Sequence, residues 1–194
     1  AAERGGTLAG DDLSPADIDR IWTLDATNGG SDDITTGSGD DIVVGGEDGE
    51  LVNETAIDFH TAAPMTLAPD VAGDTIHAGA GDNVVFGDDG VAIFDPSILD
   101  TMTSTETDWA TNGDDWIYSL GGRDTIVGGG GNDHIWAGEG DNVVFGDSAF
   151  LDFAITPNVL LEADSLDPTH GGNDEIFTGA GTGRDVIVGG YGSD

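Results

Sequence analysis

Short apolar runs recur at regular intervals along this chain and are separated by turns rich in glycine and aspartate. In residues 112–147 a large aliphatic residue stands at every ninth position: Ile117, Ile126, Ile135 and Val144. Each run is too short for a helix and consists mainly of β-branched and aromatic residues, while glycine opposes helix formation. The pattern therefore predicts many short β-strands joined by tight turns.

An acidic or amide residue precedes each aliphatic residue by two positions. The unit is thus a nonapeptide, G-G-x-G-x-D-x-U-x, in which the Asp or Asn is position six and U, a large aliphatic residue, is position eight. A repeat of fixed length predicts stacked copies of one small unit. Position six is occupied by eleven residues: Asp32, Asp41, Asp74, Asn83, Asp115, Asp124, Asp133, Asn142, Asp174, Asp185 and Asp194.

A longer repeat lies over the nonapeptides. The distance from Asp115 to Asp174 is 59 residues, whereas the distance from Asp32 to Asp115 is 83 residues, and the additional 24 fall between Asp41 and Asp74. We expect a fragment of a longer array in four parts: a linker or the end of a preceding unit at 1–27, a first unit at 28–111 with an insertion at about 48–72, a second unit at 112–170, and the start of a third unit at 171–194.

The segments at 91–111 and 150–170 interrupt the nonapeptides in the same way. Each begins apolar, meets a Pro and continues as a second, more polar arm. The Pro could begin a short helix, or it could form the turn of a β-hairpin with the residue that follows. The partly alternating second arm favours the hairpin. Its apolar residues would pack against the repeats or against another hairpin, and residues 1–24 resemble the second half of such a segment.

The charge balance excludes several classes of protein and points to a counter-ion. The 194 residues include 39 acidic and 4 basic ones, for a formal charge of −35, with 33 Gly and no Cys. Such a surface repels nucleic acid, and no apolar run reaches the ~20 residues of a membrane helix. The apolar pattern favours folding, whereas the negative charge opposes it. The chain therefore needs a multivalent cation that prefers oxygen ligands, and Ca²⁺ is such an ion.

These nonapeptides resemble those of the RTX family of bacterial secreted proteins, over residues 28–46, 73–90, 112–147 and 171–194. The resemblance implies an all-β fold, a right-handed parallel β-roll (a β-solenoid) with stacked Ca²⁺-binding turns, interrupted by hairpin-like insertions. It implies several Ca²⁺ ions as cofactor, held by the eleven position-six residues. It also implies that position-six residues two nonapeptides apart are paired: Asp115 with Asp133, Asp124 with Asn142, Asp174 with Asp194 and, if the insertion loops out, Asp32 with Asp74 and Asp41 with Asn83.

The chain departs from the family pattern in two respects. Asn83 and Asn142 replace Asp at position six, which we expect to weaken those turns or to bring in Asp82 and Asp141. Position one is often not Gly: Thr36, Ala78, Ser119, Ala137 and Thr178. Five further residues are either additional ligands or ordinary turn residues: Asp25, Asp88, Asp108, Asp147 and Asp167.

No enzymatic site is indicated. The four His residues have no metal-ligand spacing, and we interpret the many carboxylates as calcium ligands and solvated charge rather than as a catalytic pair. Four Trp residues could form a carbohydrate platform, although packing on the strands is the better interpretation: Trp22, Trp109, Trp116 and Trp136.

The sequence thus predicts a calcium-binding spacer of a large extracellular bacterial protein, an adhesin, which by the resemblance leaves the cell through a type I secretion channel. The segment would be monomeric and would fold outside the cell, where Ca²⁺ is abundant. One alternative is a module that binds a polysaccharide or a cell surface. The other is the accessory roll of a secreted enzyme.

Overall fold

The chain is all-β. The computed structural model describes residues 18, 20–23, 29–47, 51–52, 55–58, 63–66, 70–95, 98–105, 112–154 and 159–194, with backbone alone from 51 to 72. Within these residues there is no helix, and hence none long and apolar enough to cross a membrane.

The strands are short, as the apolar runs predict. Their bounds are β1 (Arg20–Trp22), β2 (Asp33–Thr35), β3 (Ile42–Val44), β4 (Leu51–Val52), β5 (Thr55–Asp58), β6 (Ala63–Thr66), β7 (Asp70–Ala80), β8 (Val84–Phe86), β9 (Gly90–Phe94), β10 (Leu99–Ser104), β11 (Asp114–Gly121), β12 (Thr125–Gly129), β13 (His134–Gly138), β14 (Val143–Asp147), β15 (Ala149–Phe153), β16 (Leu160–Ser165), β17 (Glu175–Thr178) and β18 (Val186–Val188).

Ten of these strands form two parallel sheets with the same order. Sheet one is β2-β7-β11-β13-β17, and sheet two is β3-β8-β12-β14-β18. Each strand of sheet one is followed along the chain by a strand of sheet two, so we call each such pair a layer and number the five layers in chain order. Each layer hydrogen-bonds to the layers before and after it.

The position-eight aliphatic residues hold the layers in register. In sheet one Ile117 lies between Ile76 and Ile135, and in sheet two Ile126 lies between Val85 and Val144. These side chains join one core cluster between the two sheets. The prediction that the aliphatic residue of each nonapeptide points inward is confirmed for these residues.

A third, antiparallel sheet covers the outer face of sheet two. Its order is β1-β9-β10-β15-β16, and the pairs β9/β10 and β15/β16 are hairpins. The hairpin, not the short helix, is therefore the observed form of both interrupting segments. The outward positions of sheet two are apolar, so the third sheet shields them from water. Phe86 and Phe145 pack against Met102, Leu151 and Phe153 of the hairpins.

Strand β1 pairs antiparallel with β9, as β10 pairs with β15 one repeat later. This is the place that the second arm of a preceding hairpin would take.

The 24-residue insertion loops out of the stack. Strand β2 pairs directly with β7 and β3 with β8, so the first layer stacks on the second although the insertion separates them in sequence. The insertion begins with β4, continues through the antiparallel pair of β5 and β6, and returns to the stack at the beginning of β7, with which β4 pairs.

Truncation of the central aliphatic residues should destabilise the fold according to their burial. Ile117 is fully buried, whereas Ile187 occupies the same nonapeptide position in the last layer and is 47% exposed. We expect Ile117→Ala to lower the free energy of unfolding by about 2–5 kcal/mol and Ile187→Ala by much less. Urea unfolding of both variants measures this, and equal losses would contradict the packing described above.

Candidate metal centre

The layers bring the eleven position-six residues into two columns. The turns that enter sheet one contribute the all-Asp column: Asp32, Asp74, Asp115, Asp133, Asp174 and Asp194. The turns that enter sheet two contribute the mixed column: Asp41, Asn83, Asp124, Asn142 and Asp185. The position-six residues thus form one series along the chain but two columns in space, and successive nonapeptides contribute to the two columns in alternation.

Backbone hydrogen bonds connect successive members of each column. The N–H of one position-six residue donates to Oδ1 of the next. In the all-Asp column these bonds run from Asp32 to Asp74 (2.6 Å), Asp74 to Asp115 (2.7 Å), Asp115 to Asp133 (2.9 Å), Asp133 to Asp174 (2.9 Å) and Asp174 to Asp194 (3.1 Å). In the mixed column they run from Asp41 to Asn83 (3.1 Å), Asn83 to Asp124 (3.0 Å), Asp124 to Asn142 (3.0 Å) and Asn142 to Asp185 (3.0 Å). All five pairs that the resemblance implies are therefore in contact.

The second oxygen of several of these carboxylates is buried without a hydrogen-bond partner. This holds for Oδ2 of Asp41, Asp124, Asp133 and Asp174. A buried carboxylate oxygen without a compensating partner is unfavourable. These atoms are accordingly candidates for cation ligands.

Glycine backbone makes room for the carboxylates of the all-Asp column. A Cβ on Gly128 would collide with Oδ2 of Asp133 and with the carbonyl oxygen of Gly146. A Cβ on Gly146 would likewise collide with Oδ2 of Asp174. Each turn thus forms a cradle lined by carboxylate and carbonyl oxygens, which is the donor set that Ca²⁺ prefers.

Burial raises the pKa of the central carboxyls in the metal-free chain. Burial, reinforced by the charges of Asp147, Asp194 and Asp114, raises the pKa of Asp174 from 3.8 to about 7. Burial and the charge of Asp174 raise the pKa of Asp133 well above its ordinary value. Both effects oppose the ionised form, which a bound cation would favour.

The carboxylates come in pairs rather than in larger groups. Among the residues that the structure describes, no three or more His, Asp or Glu side chains converge as a preformed metal cluster. An ion in the all-Asp column would therefore need backbone carbonyl oxygens besides two carboxylates, and Ca²⁺ accepts such mixed ligands. The residues present fit this ion.

Asp88 and Asp147 connect layers instead of extending the columns. Oδ2 of Asp88 accepts a hydrogen bond from the N–H of Gly130 (2.6 Å). Asp147 accepts one from the N–H of Gly172 (2.9 Å) and a short one from that of Tyr191. Each carboxylate thereby fixes the turn of the following layer at a point where the chain leaves for a hairpin.

The remaining candidates have other surroundings. Asp167 lies in an exposed turn with φ of 39° and accepts hydrogen bonds from Thr169, and its carboxylate contacts His170. This supports its interpretation as a turn residue. Asp25 and Asp108 lie outside the described residues.

The sequence analysis missed a second ladder at position five. Its bonds run in the opposite direction: the N–H of Arg123 donates to Asp82 (2.7 Å), that of Asn132 to Asp114 (2.7 Å) and that of Arg184 to Asp141 (2.8 Å). The enrichment of Asp and Asn at position five was the available signal. Because Asp82 and Asp141 accept these bonds in exposed turns, they are poorly placed to replace the amides at position six.

Two of the four His residues belong to an aromatic row on sheet one. The ring of His134 stacks on Trp116 with centroids 4.4 Å apart, and His77 stacks on Tyr118 at 5.2 Å. Trp116 is only 5% exposed. Packing, rather than an open platform, is thus the observed role of Trp116, whereas Trp109 lies outside the described residues.

Acid should strengthen the metal-free fold. A carboxyl with a raised folded-state pKa holds its proton more tightly in the folded chain, so it opposes folding increasingly as the pH rises from its ordinary pKa to its folded-state pKa. For Asp174 the affected window extends from 3.8 to about 7. In EDTA, the far-UV circular dichroism of β-structure should increase as the pH falls from about 8 to about 5. Loss of β-signal over this range would contradict the electrostatics of the columns.

Comparison with known proteins agrees with the geometry. The family described as RTX calcium-binding nonapeptide repeat matches the chain in four copies, over residues 26–49, 72–91 and 109–144. These stretches contain every position-six residue from Asp32 to Asn142. No curated protein and no solved structure matches the chain. The chain therefore carries RTX calcium-binding nonapeptide repeats over these residues.

Proposed function

We propose that this chain is a calcium-binding β-roll segment that folds when Ca²⁺ binds and serves as a spacer in a large extracellular bacterial protein. The observation that carries this proposal is the all-Asp column. Its carboxylates are stacked, each accepting a hydrogen bond from the backbone N–H of the preceding member, and Oδ2 of Asp133 and Asp174 is buried without a hydrogen bond. Such an arrangement is unfavourable in the chain alone and favourable around a divalent cation.

The alternation of strands supports the roll. One strand of sheet one, a turn, one strand of sheet two and a second turn make one coil, and the coils stack through parallel pairing. Connections between parallel strands of one sheet are overwhelmingly right-handed in proteins. We therefore assign the right-handed form of the roll, with the hairpins as insertions between units 28–111, 112–170 and 171–194.

The chain's own atoms prepare the site for the ion. The backbone N–H of Asp115 fixes Oδ1 of Asp133, and the N–H of Asp133 fixes Oδ1 of Asp174. The glycine that begins each turn out of sheet two leaves space for the other oxygen. When bound, Ca²⁺ supplies positive charge and about six to eight coordination positions for these oxygens and for turn carbonyls.

Linkage to calcium explains how such a chain can be exported and then fold. Inside a cell, where Ca²⁺ is scarce, repulsion among the charges of a chain with a net charge of −35 keeps it expanded. Outside, sites with dissociation constants of about 10⁻⁴–10⁻³ M are occupied and pull the chain into the folded state. This is the behaviour needed for type I secretion and for a location at the cell surface, and it requires no catalytic activity.

A layered architecture suits a spacer in an adhesin. Each layer hydrogen-bonds to its neighbours along the stack, so further nonapeptides lengthen the rod without changing its cross-section. The charged turns keep such rods apart in solution, which supports a monomeric segment.

A polysaccharide- or cell-binding module is the second candidate, favoured by the aromatic row on sheet one. Trp136 and Phe177 are half-buried and lie 5.6 Å apart between ring centroids. Binding to a glycan array that is lost in Trp136→Ala would favour this function. Absence of binding would favour the spacer function instead. An accessory role beside a secreted enzyme has no specific observation in its favour among the described residues.

Calcium should be required for folding. We expect the chain in EDTA to give a largely disordered far-UV circular dichroism spectrum and to gain β-structure on addition of about 1–10 mM Ca²⁺. Mg²⁺ at the same concentration should be a poor substitute, because it demands octahedral geometry and retains its water. A β-spectrum that EDTA leaves unchanged would contradict the proposed function.

A further inference from the structure

The first position of the turn distinguishes the two columns. The turns that leave sheet two all begin with glycine: Gly45, Gly87, Gly128, Gly146 and Gly189. Those that enter sheet two never do: Thr36, Ala78, Ser119, Ala137 and Thr178. The departures from Gly at position one are thus confined to one edge of the roll.

Glycine at this position is required by the carboxylates of the all-Asp column. A Cβ on any of the five glycines would collide with Oδ2 of an Asp in that column; the Asp residues concerned are Asp74, Asp115, Asp133, Asp174 and Asp194. In the mixed column the corresponding turns already carry a Cβ. The space that holds carboxylate oxygens at one edge is therefore partly filled by side chain at the other.

The two columns also differ in charge at every step. Two neighbouring members of the all-Asp column always provide two carboxylates, whereas two neighbouring members of the mixed column always provide one carboxylate and one amide. The affinity of a calcium site depends on the number of charged ligands and on rigidity. The mixed column is thus the weaker site by its charge alone.

Side-chain donors satisfy the turn carbonyls at the mixed edge. Nδ2 of Asn83 donates to the carbonyl of Gly81 (3.2 Å) and to Oδ1 of Asp124 (2.9 Å). Oγ of Ser119 donates to the carbonyl of Gly79 (3.2 Å). These N–H and O–H groups occupy positions next to the carbonyl and carboxylate oxygens that a cation would otherwise occupy.

Two more contacts at the same edge repeat this pattern. Oγ1 of Thr36 donates to the carbonyl of Ala78 (2.6 Å), and Nδ2 of Asn142 donates to that of Gly138 (3.4 Å). Asp124 still keeps one buried oxygen without a hydrogen bond. The mixed edge is therefore a weakened cation site rather than an apolar one.

Building on the proposed function, we infer that calcium binding by this chain is one-sided. The all-Asp column takes the ions on which folding depends, and the mixed column is held together by the protein's own hydrogen bonds. About half of the turns that the nonapeptide pattern marks as sites are then dispensable for the response to Ca²⁺.

The test uses a matched pair of substitutions in the complete 194-residue chain. Asp133→Asn and Asp124→Asn remove the same charge from adjacent nonapeptides, at residues that are 1% and 0% exposed. The Ca²⁺ concentration at the midpoint of folding should rise about tenfold or more for Asp133→Asn, since one charged ligand is lost. For Asp124→Asn it should stay within about threefold of the wild-type value.

A second pair of substitutions changes the turns and leaves every position-six residue in place. Gly128→Ala should raise the calcium midpoint because the new methyl group enters the cradle of Asp133 and Gly146. Ser119→Ala removes the hydrogen bond to the carbonyl of Gly79 and should lower the free energy of unfolding in urea at saturating Ca²⁺. The calcium midpoint should change little. Ions bound per chain, counted by elemental analysis after desalting, should fall in Gly128→Ala and not in Ser119→Ala.

The possible outcomes separate this inference from the proposed function. If the wild-type chain is folded in EDTA, both fail. If the wild-type chain needs Ca²⁺ but Asp124→Asn shifts the midpoint as much as Asp133→Asn, or does not fold at any Ca²⁺ concentration, only the one-sided binding is overturned. If Asp133→Asn alone does not fold, one-sided binding is supported.

Discussion

The burial of like charges in a column is the constraint on which the rest of this structure depends. Asp133 and Asp174 lie one above the other, and each fixes one oxygen on a backbone N–H while the other oxygen is buried without a hydrogen bond. Burial raises the pKa values of both carboxyls, reinforced by the charge of Asp174 at Asp133 and by the charges of Asp147, Asp194 and Asp114 at Asp174. A neutral solvent cannot relieve this, whereas a divalent cation between the carboxylates can.

The remaining architecture places and repeats that interaction. Position-eight aliphatic residues such as Ile117 and Ile135 pack between the two parallel sheets and fix the vertical spacing of the layers. Glycine at the beginning of each turn out of sheet two leaves room for the carboxylate. The hairpins cover the apolar outer face of sheet two.

Much of the fold follows from local pattern. The strands and the inward position-eight residues were predictable because a fixed repeat and alternating side chains constrain register strongly. The looping-out of the 24-residue insertion was only a condition for two of the expected pairs, and the direct pairing of β2 with β7 and of β3 with β8 decided it. The hairpins were only one of two readings, since a Pro followed by a polar residue suits both a turn and a helix start. What decided between them was the apolar surface of Val84 and Phe86, which an antiparallel sheet can cover continuously.

The sequence by itself determined the repeat unit, the all-β class and the residue types that a hard cation needs, because these are properties of nine consecutive residues. The resemblance implied five of the neighbouring pairs of position-six residues, and only the tertiary structure decided the other four, each of which has a hairpin between its members: Asp74 with Asp115, Asn83 with Asp124, Asp133 with Asp174 and Asn142 with Asp185. Successive nonapeptides alternate between the sheets, so Asp124 faces Asn142 whereas Asp133 faces Asp174. Two edges of different charge thus arise from one register, because ligand partners are set by the stacking of layers and not by their order along the chain.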